Sequence, residues 1–200
     1  AAVMRQTLTE AQIYLEKKKE HQRKRSRNKE PFQTDLRNEA LIRLLSGELR
    51  ARIHSHRAID MLTVMRIAEE FKFSYAFEHA TEAIDIMDEL KKRDVPVVIG
   101  PTMSSRAKVE LHHRTFETVV RAFEAGLTVA ITSDHHVTPM KNLPVYAALA
   151  MREGLSEEDA FRALTINPAQ MAASRSMSGN SLNRSLGNTS QRTRPAVASE

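Results

Sequence analysis

Cysteine and tryptophan are both absent from the 200 residues, and aromatic side chains make up only 5% of them. Without thiols there is no disulfide framework and no thiolate-held zinc, so any metal must be bound by imidazole and carboxylate. That usage suits a reducing compartment. No apolar run approaches the length of a membrane span, and the first residues lack the charged-then-apolar pattern of a secretion signal. The expectation is a soluble cytoplasmic protein with no membrane partner. What the chain does have is globular: 41% hydrophobic and 28% charged residues, enough for one ordinary domain with a real core.

A formal charge of +5 and a pI near 9.6 raise the question of a nucleic-acid partner. The positive charge gathers at the two ends. Lys17, Lys18, Lys19, Arg23, Lys24, Arg25 and Arg27 alternate with Glu16, Glu20 and Gln22, which reads as a solvated helix. From about Met171, Ser, Asn and Arg dominate (Ser174, Arg175, Arg184, Arg192, Arg194) and no hydrophobic period survives, the composition of a disordered tail. Neither cluster is interleaved with aromatic residues, and no nucleic-acid motif appears, which disfavours nucleic acid.

Residues 8–29 carry helix formers, with Thr9 placed to cap them and Pro31 to end the segment. A second helix is expected from a cap at Asp35 to Gly47. From Leu49 onward, short apolar strands alternate with longer helical segments, the mark of parallel α/β architecture. The strands expected are Ala51–His54, Phe73–Phe77, Val95–Ile99 and Leu127–Thr132, with helices near 58–71, 81–93 and 114–125 between them. That set makes half a barrel or a small open sheet. Two more helices are expected, Leu143–Glu153 and one starting at Ser156, whose acidic first turn suits a positive helix end. After Asn167 and Pro168 the ordered pattern fades. The chain thus divides into N-terminal helices (1–48), an α/β region (49–170) and a tail (171–200).

In parallel α/β folds the strand-end loops share one face, so chemistry is sought there. The first strand ends His54, Ser55, His56; the second Glu78, His79; the third Gly100, Pro101, Thr102; the fourth Ser133, Asp134, His135, His136. Singly, each has a plain structural explanation: His79 as a satisfied core histidine, Asp134 as a turn cap. Together, imidazoles and a carboxylate from separate strands could converge on one divalent ion.

The runs Ala51–Asp60 (ARIHSHRAID), Phe77–Glu82 (FEHATE), Val97–Pro101 (VVIGP), Ile131–His135 (ITSDH) and Leu164–Ala169 (LTINPA) together resemble the amidohydrolase superfamily, in particular its imidazolonepropionase-like members. The resemblance implies a distorted TIM (β/α)8-type barrel, of which this chain would hold approximately strands 5 to 8, preceded by one or two helices. It implies hydrolysis of non-peptide C–N bonds in a small-molecule substrate, a cyclic amide or amidine, with one or two divalent metals, zinc first among them. His54 matches the fifth-strand metal ligand, His79 the sixth-strand histidine and Asp134 the eighth-strand aspartate. Metal lowers the pKa of bound water; Asp134 would take its proton and pass it to the leaving nitrogen, and His79 would bind a second metal or polarise the carbonyl. His56, Arg57 and His135 stand beside these positions as candidates for substrate contact or ligand support.

The family's first-strand His-x-His pair and fourth-strand bridging residue are not in this sequence, and 200 residues fall short of the roughly 250 of a complete barrel. A piece truncated at both ends is therefore expected, binding metal weakly, hydrolysing little alone, and self-associating through exposed strand edges. Two other readings remain open: a basic nucleic-acid-binding module, and a pseudoenzyme subunit completed by a partner.

Overall fold

The computed structural model describes residues 1–23 and 30–172. Residues 24–29 of the basic cluster, and the expected tail from 173 onward, lie outside the described residues. Two helices, α1 (Ala2–Arg23) and α2 (Leu36–Leu45), precede strand β1 (Ala51–Ser55), helix α3 (Ala58–Phe71), β2 (Tyr75–His79), α4 (Met87–Lys92), β3 (Val97–Ile99), α5 (Glu117–Glu124) and β4 (Val129–Ile131). Three further helices close the described chain: α6 (Leu143–Arg152), α7 (Glu157–Leu164) and α8 (Ile166–Ala172). The strands form one sheet in the order β1-β2-β3-β4, every pair parallel. This is the alternating α/β arrangement that the sequence led us to expect.

Local chemistry sets most of the boundaries. Asp35 caps α2 by accepting from the backbone of Arg37 and Asn38, and Ser156 caps α7 by accepting from Asp159. Thr9, in contrast, is interior to α1 and caps nothing. Helix-forming residues run back to Ala2, and Leu8, Ala11 and Tyr14 form one buried stripe that continues through the expected cap. The segment expected as one helix over 81–93 splits into a 3-10 turn (Ala83–Ile86) and the short α4. Near the end of the described chain, α8 takes in Met171 and Ala172, two residues that the composition had assigned to the tail. Met171 is 2% exposed and packs on Val98 and Ala130, so burial overrides the polar trend around it. The basic face of α1 is partly neutralised: Lys18 bonds Glu39 and Lys19 bonds Glu16.

The sheet has two unlike faces. Val97, Ile99, Val129 and Ile131 join Phe77 in the main core with Met61, Met65, Val119 and Tyr146 from the helices. Burying each large side chain contributes about 1.5–3 kcal/mol. A second cluster seats α1 and α2 on the start of the sheet, with Leu8, Leu41, Leu44 and Leu45 packed against Ile67, Phe71 and Phe73. The opposite face carries Arg52, His54, Glu78, Val98 and Ala130, paired across the strands by register. It holds the Arg52–Glu78 ion pair and only a small apolar patch around Met171.

The outer side of β4 is closed by a side chain. Val97 N–H donates to Thr128, and Thr132 N–H donates to Ile99, so strand alternation turns the Val129 carbonyl away from β3. The Asn167 side-chain amide, 3% exposed, donates to that carbonyl at 2.8 Å. We expect Asn167→Ala to cost about 1–3 kcal/mol, the penalty of an unsatisfied buried acceptor, read as a lower urea midpoint. An unchanged midpoint would show that β4 does not depend on this cap.

Candidate functional site

Parallel pairing brings the ends of all four strands to one edge, and the register decides which groups meet there. His54 pairs with Glu78, Glu78 with Val98, and Val98 with Ala130, so these four share a row on the polar face. Two residues further along each chain come His56, Ala80, Gly100 and Thr132. His79 pairs with Ser55, and regular alternation would direct it to the other face. The backbone leaves that alternation at His79 itself, with φ 72, followed by Ala80 at φ 40. Left-handed geometry at non-glycine residues costs about 1–2 kcal/mol each and marks a functional candidate.

The outcome is a cluster of three imidazoles. The His54 ring lies 4.4 Å from His79 and 4.9 Å from His56, and His56 lies 4.9 Å from His79, centre to centre. His79 Nδ1 is 2.7 Å from the Gly100 carbonyl. A carbonyl only accepts, so Nδ1 carries the hydrogen, and the lone pair of the neutral ring is on Nε2. His56 Nδ1 is 2.8 Å from the buried Thr81 hydroxyl. That contact is braced by Glu82, whose N–H donates to the His56 carbonyl and whose carboxylate accepts from Ala58 N–H at the start of α3.

Burial, reinforced by the charges of His79 and His54, pushes the His56 imidazolium down to about 4. His54 is also lowered, chiefly by burial and then by His79, while Glu110 and Asp134 oppose the shift. Both rings are therefore held neutral at ordinary pH, the state a metal ligand requires. Asp134 is half-buried, sits at φ 49, and donates its N–H to the Thr132 hydroxyl. Its charge reaches His54.

The donor chemistry, two close imidazoles with the His79 ring oriented by the Gly100 carbonyl, fits a divalent cation at His54 and His79. Among the described residues no three His, Asp or Glu side chains stand in an arrangement that would by itself hold an ion. His135 is exposed and stays within its own loop, against His136 and accepting from Met140 N–H. Arg57 is exposed at the start of α3 and its side chain has no partner among the described residues.

Sequence reasoning placed His56 beside the site; the structure places it inside the cluster, as its most buried ring. Thr81, Glu82 and the Gly100 carbonyl were not singled out. The FEHATE and VIGP runs did contain them, but a supporting hydrogen bond leaves no spacing signature of its own. A cavity of about 380 Å³ opens at the opposite end of the sheet, among Arg50, Tyr75, Arg93 and Pro96. It lies where the strands begin, away from the histidines.

No family model matches this chain, and no curated protein does. A solved structure described as an amidohydrolase from Thermotoga maritima MSB8 is 41% identical to it, with a TM-score of 0.81 over 86% of this chain. The chain spans 44% of that structure's own length, less than half. The described fold is therefore amidohydrolase-like over the aligned part.

Gly100 is the tightest point of the site. It adopts φ 127, and an added Cβ would lie 2.2 Å from the Thr132 carbonyl oxygen, a backbone atom that cannot swing aside. Gly100→Ala should part β3 from β4, lower stability, and free the His79 ring, seen as loss of its slowly exchanging Nδ1–H signal by NMR; an unchanged spectrum would refute the close approach. The His56 ring binds its proton near pH 6.5 when unfolded and near 4 when folded. Its contribution to stability is therefore complete above about 6.5 and is lost as pH falls toward 4. An NMR titration should give a His56 midpoint near 4, whereas a midpoint near 6.5 would show an open ring.

Proposed function

We propose that this chain forms part of the site of a metal-dependent amidohydrolase that cleaves C–N bonds other than peptide bonds, in a cyclic amide, an amidine or a related small molecule. The observation that carries this reading is the convergence of His54, His56 and His79 at 4.4–4.9 Å, on the edge where parallel strands end, with Asp134 within charge range. The similarity to an amidohydrolase over 86% of the chain supports the reaction class.

In this reading His54 and His79 hold a divalent cation, zinc in the first instance. A bound cation of that kind supplies a water acidified toward neutrality. Asp134, on the loop after β4, accepts the water's proton on its carboxylate and delivers it to the leaving nitrogen. The Gly100 carbonyl keeps the proton of His79 on Nδ1, so Nε2 is presented to the metal or to the substrate carbonyl. Thr81 and Glu82 fix the His56 loop, so that the ring forms a wall of the site rather than moving through it. A catalytic zinc generally takes three protein ligands, and the described residues supply a pair of close imidazoles. The isolated chain is accordingly expected to bind metal weakly and to hydrolyse little.

Zinc binding by isothermal titration on chelator-stripped protein tests the reading. Wild type should bind about one zinc, with affinity at least about tenfold lower in His54→Ala and in His79→Ala, as expected on loss of one ligand. Asp134→Ala should weaken binding less than either histidine substitution. Zinc affinity that none of the three substitutions changes would place the metal elsewhere and overturn the assignment.

A further inference from the structure

The sheet has two outer edges, and they are treated differently. Along β4 the edge is occupied: the Asn167 amide takes the Val129 carbonyl, and α8 carries Met171 onto Val98 and Ala130. Along β1 the edge is open. Ala51 N–H donates to the Ser74 carbonyl, and the Ser55 carbonyl accepts from Ala80 N–H, so Ala51, Ile53 and Ser55 turn their backbone groups toward β2. Arg52 and His54 therefore direct theirs the other way, where no described residue bonds to them, and both residues are exposed. An open edge of this kind is a template for another strand.

A strand that fits this edge has to match its backbone and also fill the space beside it on the helix-covered side. There Val3, Leu8, Leu41, Leu44, Ile53 and Phe73 line an apolar groove of about 250 Å³. A second copy of β1 does both. In an antiparallel pair centred on Ile53, Arg52 faces the partner's His54 as a hydrogen-bonded pair on either side of the axis. The two Ile53 side chains then stand directly opposite each other at the groove. Ala51 faces the partner's Ser55, so no bulky group opposes the approach. The Arg52 guanidinium is already balanced by Glu78 of its own chain. Head-to-tail pairing of β1 with β4 of the next copy has no such fit, because Asn167 and α8 occupy that side of β4.

We propose that two copies of this chain associate about a twofold axis through β1, antiparallel and centred on Ile53, so that their sheets become one. The contact is isologous, with the same strand used by both copies, and it closes at two. It also sets the partner's Arg52 beside His54, so each copy adds a side chain to the polar face of the other. Four backbone hydrogen bonds and one groove make a small interface, and the dimer should dissociate on dilution.

The chain has no cysteine, so Ile53→Cys introduces a single thiol. Opposed residues of a non-hydrogen-bonded antiparallel pair lie about 4.5 Å apart at Cα, within the reach of a disulfide. Mild oxidation of Ile53→Cys should give a covalent dimer of twice 22.6 kDa, whereas Phe161→Cys, exposed on α7, should stay monomeric under the same conditions. Sedimentation velocity of the wild type should show a concentration-dependent monomer–dimer equilibrium. Arg52→Pro removes an outward N–H and leaves the bonds to β2 in place; it should weaken the dimer at least about tenfold. A wild type that is monomeric at every concentration, a dimer that Arg52→Pro leaves unchanged, a ladder of higher oligomers, or equal cross-linking at positions 53 and 161 would each overturn the proposal. If Arg52→Pro folds poorly, the thiol experiment decides by itself.

Discussion

Backbone hydrogen bonding between parallel strands is the constraint from which the site follows. Because β1 to β4 all run the same way and are paired in one register, His54, His79, Gly100 and Asp134 emerge at one edge although up to 80 positions separate them in the chain. The same pairing turns one face of the sheet into the helix-covered core and leaves the other to Arg52, His54 and Glu78. The helix-covered core and the candidate site thus lie on opposite faces of a single sheet.

Local backbone geometry then departs from regularity where the candidate groups sit. His79 and Asp134 both adopt positive φ, and Gly100 approaches the Thr132 carbonyl in a way that any side chain would block. These positions depend on one another. The Gly100 carbonyl fixes the His79 ring, and the left-handed turn at His79 brings that ring to within 4.4 Å of His54. All four strand-end loops contribute charge or hydrogen bonding: His56 after β1, Thr81 and Glu82 after β2, the Gly100 carbonyl after β3 and Asp134 after β4.

Much of this was legible in the sequence because it is periodic or compositional. The alternation of Val, Ile and Phe with helical segments located all four strands, and Asp35 and Ser156 behaved as the caps that their side chains suggested. Strand ends carrying His and Asp pointed to the edge where the three imidazoles gather. What was not legible was set by tertiary contact. Thr9 resembled a cap but lies within a helix whose buried stripe begins earlier. Asn167 belonged to a recognisable motif, yet its role of closing the free side of β4 depends on where α8 packs. The burial of His56 likewise depends on the loop of Thr81 and Glu82 that bonds to it, and a His-x-His spacing is the same whether its second ring is exposed or enclosed.

The central claim is that imidazoles from two different strand ends form one cluster. Through-space NMR contacts between the ring protons of His54, His56 and His79 test it most directly, on protein whose core methyl signals confirm an intact fold. The account predicts cross-peaks linking His79 to both His54 and His56, as ring centres 4.4 and 4.9 Å apart require. An intact core with no contact between His79 and either ring would contradict it.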